Sequence, residues 1–98
     1  MKYLSIGSVI KIKDTNALLV IAGYLPKVED GNTYDYFAVP YPLGMISFDE
    51  FMCINSDIIG EVVFEGYSDE QTDKFLNGLE EFEKNLKNIK TTEIKQNN

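Results

Sequence analysis

Tyr34-Asp35-Tyr36-Phe37-Ala38-Val39-Pro40-Tyr41-Pro42-Leu43-Gly44 puts four aromatics, two prolines and a glycine into eleven residues, more than a plain surface loop needs. The alternation predicts a strand running into a rigid turn. Tyr34, Tyr36 and Ala38 fall on one face and Asp35, Phe37 and Val39 on the other. The prolines then fix φ and remove ladder donors, so pairing stops there. Such a strand end either seals a small core or displays aromatics to a partner. Tyr and Phe are favoured in strands in any case, so residue type leaves both readings open.

On the N-terminal side, Ile6 to Lys13 alternates, with Ile6, Ile10 and Ile12 opposite Val9, Lys11 and Lys13, which predicts a half-buried strand. Asp14-Thr15-Asn16 is turn chemistry. Ala17 to Leu25 is a continuous apolar run of the kind expected for a central strand buried on both faces, hairpinned to the first. Pro26 ends it, and Lys27 to Thr33 reads as an exposed connection. Residues 45–54 suit either a short helix, from the Ser47 and Glu50 spacing, or extended structure, with extended structure preferred. Asn55-Ser56-Asp57 caps a single helical turn, and Glu61 to Glu65 is a further short strand closed by Gly66.

The last element is a helix. Ser68 and Gln71 have capping-box spacing, and Phe75, Leu79, Phe82, Leu86 and Ile89 recur at intervals of four and three, with Leu76 widening the stripe. A helix reaching Lys90 is about 33 Å long. Asp69, Glu70 and Asp73 lie at its positive end and Lys84, Lys87 and Lys90 at its negative end. Gly78 is the one interior residue that disfavours a helix; it marks either close backbone approach or a tolerated imperfection. Thr91 to Asn98 is polar and aperiodic, and is expected to be a disordered tail. The fold expected is therefore α+β: one domain over residues 1–90, a small curved antiparallel sheet of four or five strands with a long C-terminal helix packed on it.

Composition narrows function by exclusion. The 98 residues carry a net charge of −7, with four Lys against six Asp or Glu in residues 1–54 and five against ten in residues 55–98. Nucleic acid and anionic membranes both demand a cationic footprint, so neither is an expected partner. The longest uncharged stretch, Tyr36 to Phe48, has 13 residues and is too short to span a bilayer. No cleavable leader is expected either, and a single cysteine, Cys53, fits a reducing cytoplasm. With no histidine the chain lacks the usual general base and the commonest metal ligand. The acidic runs Asp69-Glu70 and Glu80-Glu81 read as a solvated helix face. No catalytic residue, metal site or cofactor is expected, and the chain is read as a binding protein. Its two candidate surfaces are the aromatic strand and turn, through Tyr36 and Tyr41, and the far end of the helix, through Phe82, Leu86 and Ile89.

Taken in order, Ile6-Gly7-Ser8-Val9-Ile10, Tyr34-Asp35-Tyr36 to Pro40-Tyr41-Pro42-Leu43-Gly44, Asp57-Ile58 and Val62-Val63-Phe64-Glu65-Gly66-Tyr67 resemble domain-of-unknown-function family 4176. This is a group of small proteins of Gram-positive bacteria encoded beside LXG toxins in type VII secretion loci. The resemblance covers most of residues 6–67, and from 68 to 90 it is one of character only. It implies a non-enzymatic accessory protein, a targeting factor or chaperone, that binds the helical N-terminal region of a toxin, or a small helical partner of it, for export. The alternative is an immunity protein neutralising a toxin domain. A homodimer through the helix seam is a further open reading, since its spacing is also that of a coiled coil.

Overall fold

The computed structural model describes residues 3–26, 31–48 and 51–96, with side chains described as far as Asn85. The elements are β1 (Val9–Ile12), β2 (Leu18–Tyr24), β3 (Tyr36–Pro40), β4 (Met52–Ile54), a 3-10 turn (Ser56–Ile58), β5 (Ile59–Phe64) and α1 (Glu70–Gln96). The strands make one open antiparallel sheet in the order β4-β3-β2-β1-β5. This is an α+β fold. The chain forms two compact units: Leu4–Tyr67, which holds the whole sheet, and the segment from Ser68 onward together with Tyr3.

In the sheet unit, register explains burial. Ile10 lies opposite Leu19, Ile21 opposite Ala38, and Tyr36 opposite both Tyr24 and Ile54. Paired residues share a face, and Ile10, Leu19, Ile21, Tyr36, Ala38 and Ile54 are all buried. The opposite face carries Val9, Val20 and Val39, which register places in line and which are only half-buried. β2 is central, as its apolar run predicts, but it is not buried on both faces: Leu18 and Val20 are half-covered and Ala22 is exposed. The run is continuous because the second face is itself apolar.

Both sheet edges are poor templates for another strand. β4 has three residues, and β5 breaks register with β1 twice, skipping Val63 and Gly60. Short and bulged edge strands suppress edge-to-edge pairing. The β1–β2 turn closes as its Asp-Thr-Asn sequence predicts. Asp14 adopts φ 61°, and the Thr15 hydroxyl donates to the Ile12 carbonyl while accepting from the Ala17 amide.

Two segments far apart in sequence meet at Ser8 and Gly66. The buried Ser8 hydroxyl accepts from the Gly66 amide at 3.0 Å, and the Ser5 hydroxyl donates to the Gly66 carbonyl at 2.9 Å. A Cβ on residue 66 would lie 2.1 Å from the Ile6 carbonyl oxygen, so only glycine fits. The pairing continues inward, with the Gly7 amide donating to Ile21 and the Ile21 amide to Ser8, each at 2.8 Å. At the 3-10 turn, the Ser56 amide donates to the Asp35 carboxylate at 2.8 Å. The Asn55 side-chain oxygen instead accepts from the Asp35 amide. Asp35 therefore performs the capping that the sequence predicts for Asn55-Ser56-Asp57.

In the helical unit, the cap lies one residue later than the Ser68–Gln71 spacing predicts. The Thr72 amide donates to the Asp69 carboxylate at 3.0 Å, and the Asp69 amide donates back to the Thr72 hydroxyl at 3.2 Å. The first intrahelical bond runs from the Asp73 amide to the Asp69 carbonyl. Asp69 is thus the N-cap, and a carboxylate there also meets the positive end of the dipole. α1 continues past Lys90, through the first residues of the expected polar tail, to Gln96. Tyr3 is buried, and its hydroxyl donates to the Glu83 carboxylate.

Candidate functional site

The connection from β3 to β4 holds the densest exposed apolar surface among the described residues of the sheet unit. Pro40 ends the ladder with no donor of its own, while its carbonyl accepts the Gly44 amide at 2.7 Å. Gly44 reaches this bond at φ 71°; a Cβ there meets nothing within 4 Å, so conformation rather than space calls for glycine. Inside the turn the Tyr41–Pro42 peptide is cis, and the Tyr41 amide donates to the Leu18 carbonyl. The side chains are turned outward: Leu43 is 68% exposed, Ile46 67% and Phe48 92%, with Tyr41 and Met45 exposed as well.

Beyond the loop, Phe51 lies against Phe37 of β3 with ring centroids 4.5 Å apart, and β4 begins at the next residue. The loop is therefore fastened at the Pro40–Gly44 turn and again at the Phe37–Phe51 contact. No charged residue occurs between Asp35 and Asp49, so residues 41–48, all exposed but Gly44, carry no charge. A contiguous apolar patch on a protein surface is characteristic of a protein-binding site.

Of the contact residues expected from the sequence, Tyr41 and Phe82 are each 53% exposed. Tyr36 is not available: it is 1% exposed, and its hydroxyl accepts from the Leu4 amide at 2.9 Å. Alternation correctly sets Tyr36 with Ala38 and against Phe37, but that face is the covered one. The side chains of Leu86 and Ile89 lie outside the described residues. The expected helix seam divides. Leu76 and Leu79 are half-buried while Phe75 and Phe82 are exposed, so the seam is not one continuous stripe.

Leu43, Met45, Ile46 and Phe48 are surface residues that pattern reading missed. Over residues 45–54 it favours extended structure, but a strand occupies only Met52–Ile54. The available signal was the uncharged stretch Tyr36 to Phe48, which is too long for β3 alone. Cys53 is half-buried on β4 opposite Phe37. Among the described residues, no group of three or more Cys, Asp or Glu could hold a metal, and no helix is long and apolar enough to cross a membrane.

The family described as Domain of unknown function (DUF4176) matches residues 3–75, most of the chain. No curated protein and no solved structure matches it.

Proposed function

We propose that this chain, which belongs to the DUF4176 family, is a non-enzymatic accessory protein that binds an LXG toxin, or a helical partner of it, for export by type VII secretion. The observation that carries this reading is the loop over residues 41–48. It is uncharged, fastened at both ends, and exposes Leu43, Ile46 and Phe48. A loop held in place pays less ordering entropy when a partner docks, and its apolar side chains supply the buried centre of an interface.

The partner surface that fits is an amphipathic helix laying an apolar stripe on the loop, the usual way that helices dock on apolar surfaces. The net charge of −7 favours a client with Lys or Arg around that stripe, chiefly through association rate and discrimination between partners. The protein acts in the cytoplasm, before the client reaches the secretion machinery.

The test is co-purification of the tagged protein with the separately expressed helical N-terminal region and toxin domain of the LXG protein encoded beside it. Capture of the helical region supports the export role. Capture of the toxin domain alone replaces it with neutralisation of that domain, and capture of neither contradicts both.

A further inference from the structure

Gln71, Phe75, Gly78, Phe82 and Asn85 follow one another along α1 at intervals of four, three, four and three, and all five are exposed. At about 100° per residue they occupy a single stripe about 80° wide. None is charged, although Glu70, Asp73, Lys74, Glu80, Glu81, Glu83 and Lys84 crowd the rest of the same stretch. The half-buried residues Thr72, Leu76, Leu79, Glu80 and Glu83 all lie outside this stripe.

Gly78 lies at the middle of this stripe, and no contact among the described residues accounts for it. A Cβ built there meets no atom within 4 Å, so the space is free for alanine, which is the better helix former. The residues around it are arranged symmetrically. Phe75 and Phe82 lie three residues before and four after, Lys74 and Glu81 four before and three after, and Gln71 and Asn85 seven to either side.

We propose that this face pairs antiparallel with the same face of a second copy of the chain, in a two-fold contact with Gly78 on the axis. Reversing the helix about Gly78 brings Phe75 of one copy over Phe82 of the other, Gln71 beside Asn85, and Lys74 beside Glu81. Each contact occurs twice, as an isologous interface requires. The missing Cβ lets the two backbones approach closely at the axis, so the glycine that disfavours the isolated helix serves the paired one. The two ion pairs select the antiparallel arrangement. In a parallel pair Lys74 and Glu81 stay about 10.5 Å apart along the axis and do not meet. The contact uses none of the residues of the loop proposed to hold the client, and it assigns Phe82 to the second copy instead.

Sedimentation equilibrium of the full chain over a range of concentrations tests this. A reversible dimer is expected, and Phe82→Ser and Gly78→Ala are each expected to raise its Kd about tenfold or more. Gly78→Ala strengthens the helix, so loss of the dimer in that variant is not unfolding. Lys74→Glu is expected to weaken the dimer, and the exchange Lys74→Glu with Glu81→Lys to restore it. A wild-type chain that stays monomeric at its highest soluble concentration overturns the proposal. So does a dimer whose Kd is unchanged in both Gly78→Ala and Lys74→Glu.

Discussion

Gly66 has no room for a methyl group, and this links two pieces of sequence that lie 58 residues apart in the bond from the Gly66 amide to the Ser8 hydroxyl. Gly66→Ala must move either the Ile6–Ser8 backbone or β5, and is expected to cost about 2 to 4 kcal/mol of stability in urea unfolding. The Ile-Gly-Ser-Val and Val-Phe-Glu-Gly-Tyr pieces were legible as motifs. Their contact was not, because no periodicity relates residues so far apart. Tyr24 makes stability depend on pH at the alkaline end. Its burial, and secondarily charge repulsion from the neighbouring Tyr36 phenol, raise its phenol above the ordinary 10.0. The unfolded chain then ionises first, so this contribution to stability is intact below about pH 10 and is lost as pH rises through the folded-state value. Tyr24→Phe forfeits the hydrogen bond to the Leu4 carbonyl and is less stable, but its urea midpoint is expected to fall less steeply above about pH 10.

At the scale of elements, strand identity was largely legible and helix boundaries less so. Alternation marks β1 and β3, an apolar run marks β2, and the Val-Val-Phe run marks β5. β4 has three residues, too few to establish a period. The helix start shows how spacing alone misleads, because Ser68–Gln71 and Asp69–Thr72 have the same separation. The structure selects the pair whose acceptor is charged and whose partner returns a hydrogen bond. Asp69→Ala is accordingly expected to cost about 1 kcal/mol, and Ser68→Ala to stay within about 0.5 kcal/mol, by thermal unfolding followed at the helical circular dichroism band. The same limit applies to the seam: a four-three repeat shows which helix residues share a face, but not which of the overlapping stripes is covered. Leu76 and Leu79 are half-buried while Phe75 and Phe82 stay exposed.

For the whole molecule, composition narrows the expectations by exclusion: a net charge of −7 and the lack of histidine lead us to expect neither nucleic-acid binding nor most forms of catalysis. The exposed loop was not legible, because Leu43, Met45, Ile46 and Phe48 have the residue types of a buried strand and only exposure distinguishes the two. The aromatic strand is divided by its own alternation: Tyr36 seals the core, while Pro40 and Gly44 shape the turn that carries the exposed loop. The most direct measurement is the affinity for the client's helical N-terminal region, by titration calorimetry, of the wild type and of a Leu43→Ser, Phe48→Ser double variant. Both side chains are exposed, so the variant is expected to unfold at the wild-type urea midpoint while binding about tenfold or more weakly. Equal affinity in a variant that remains folded would contradict the loop as the client site.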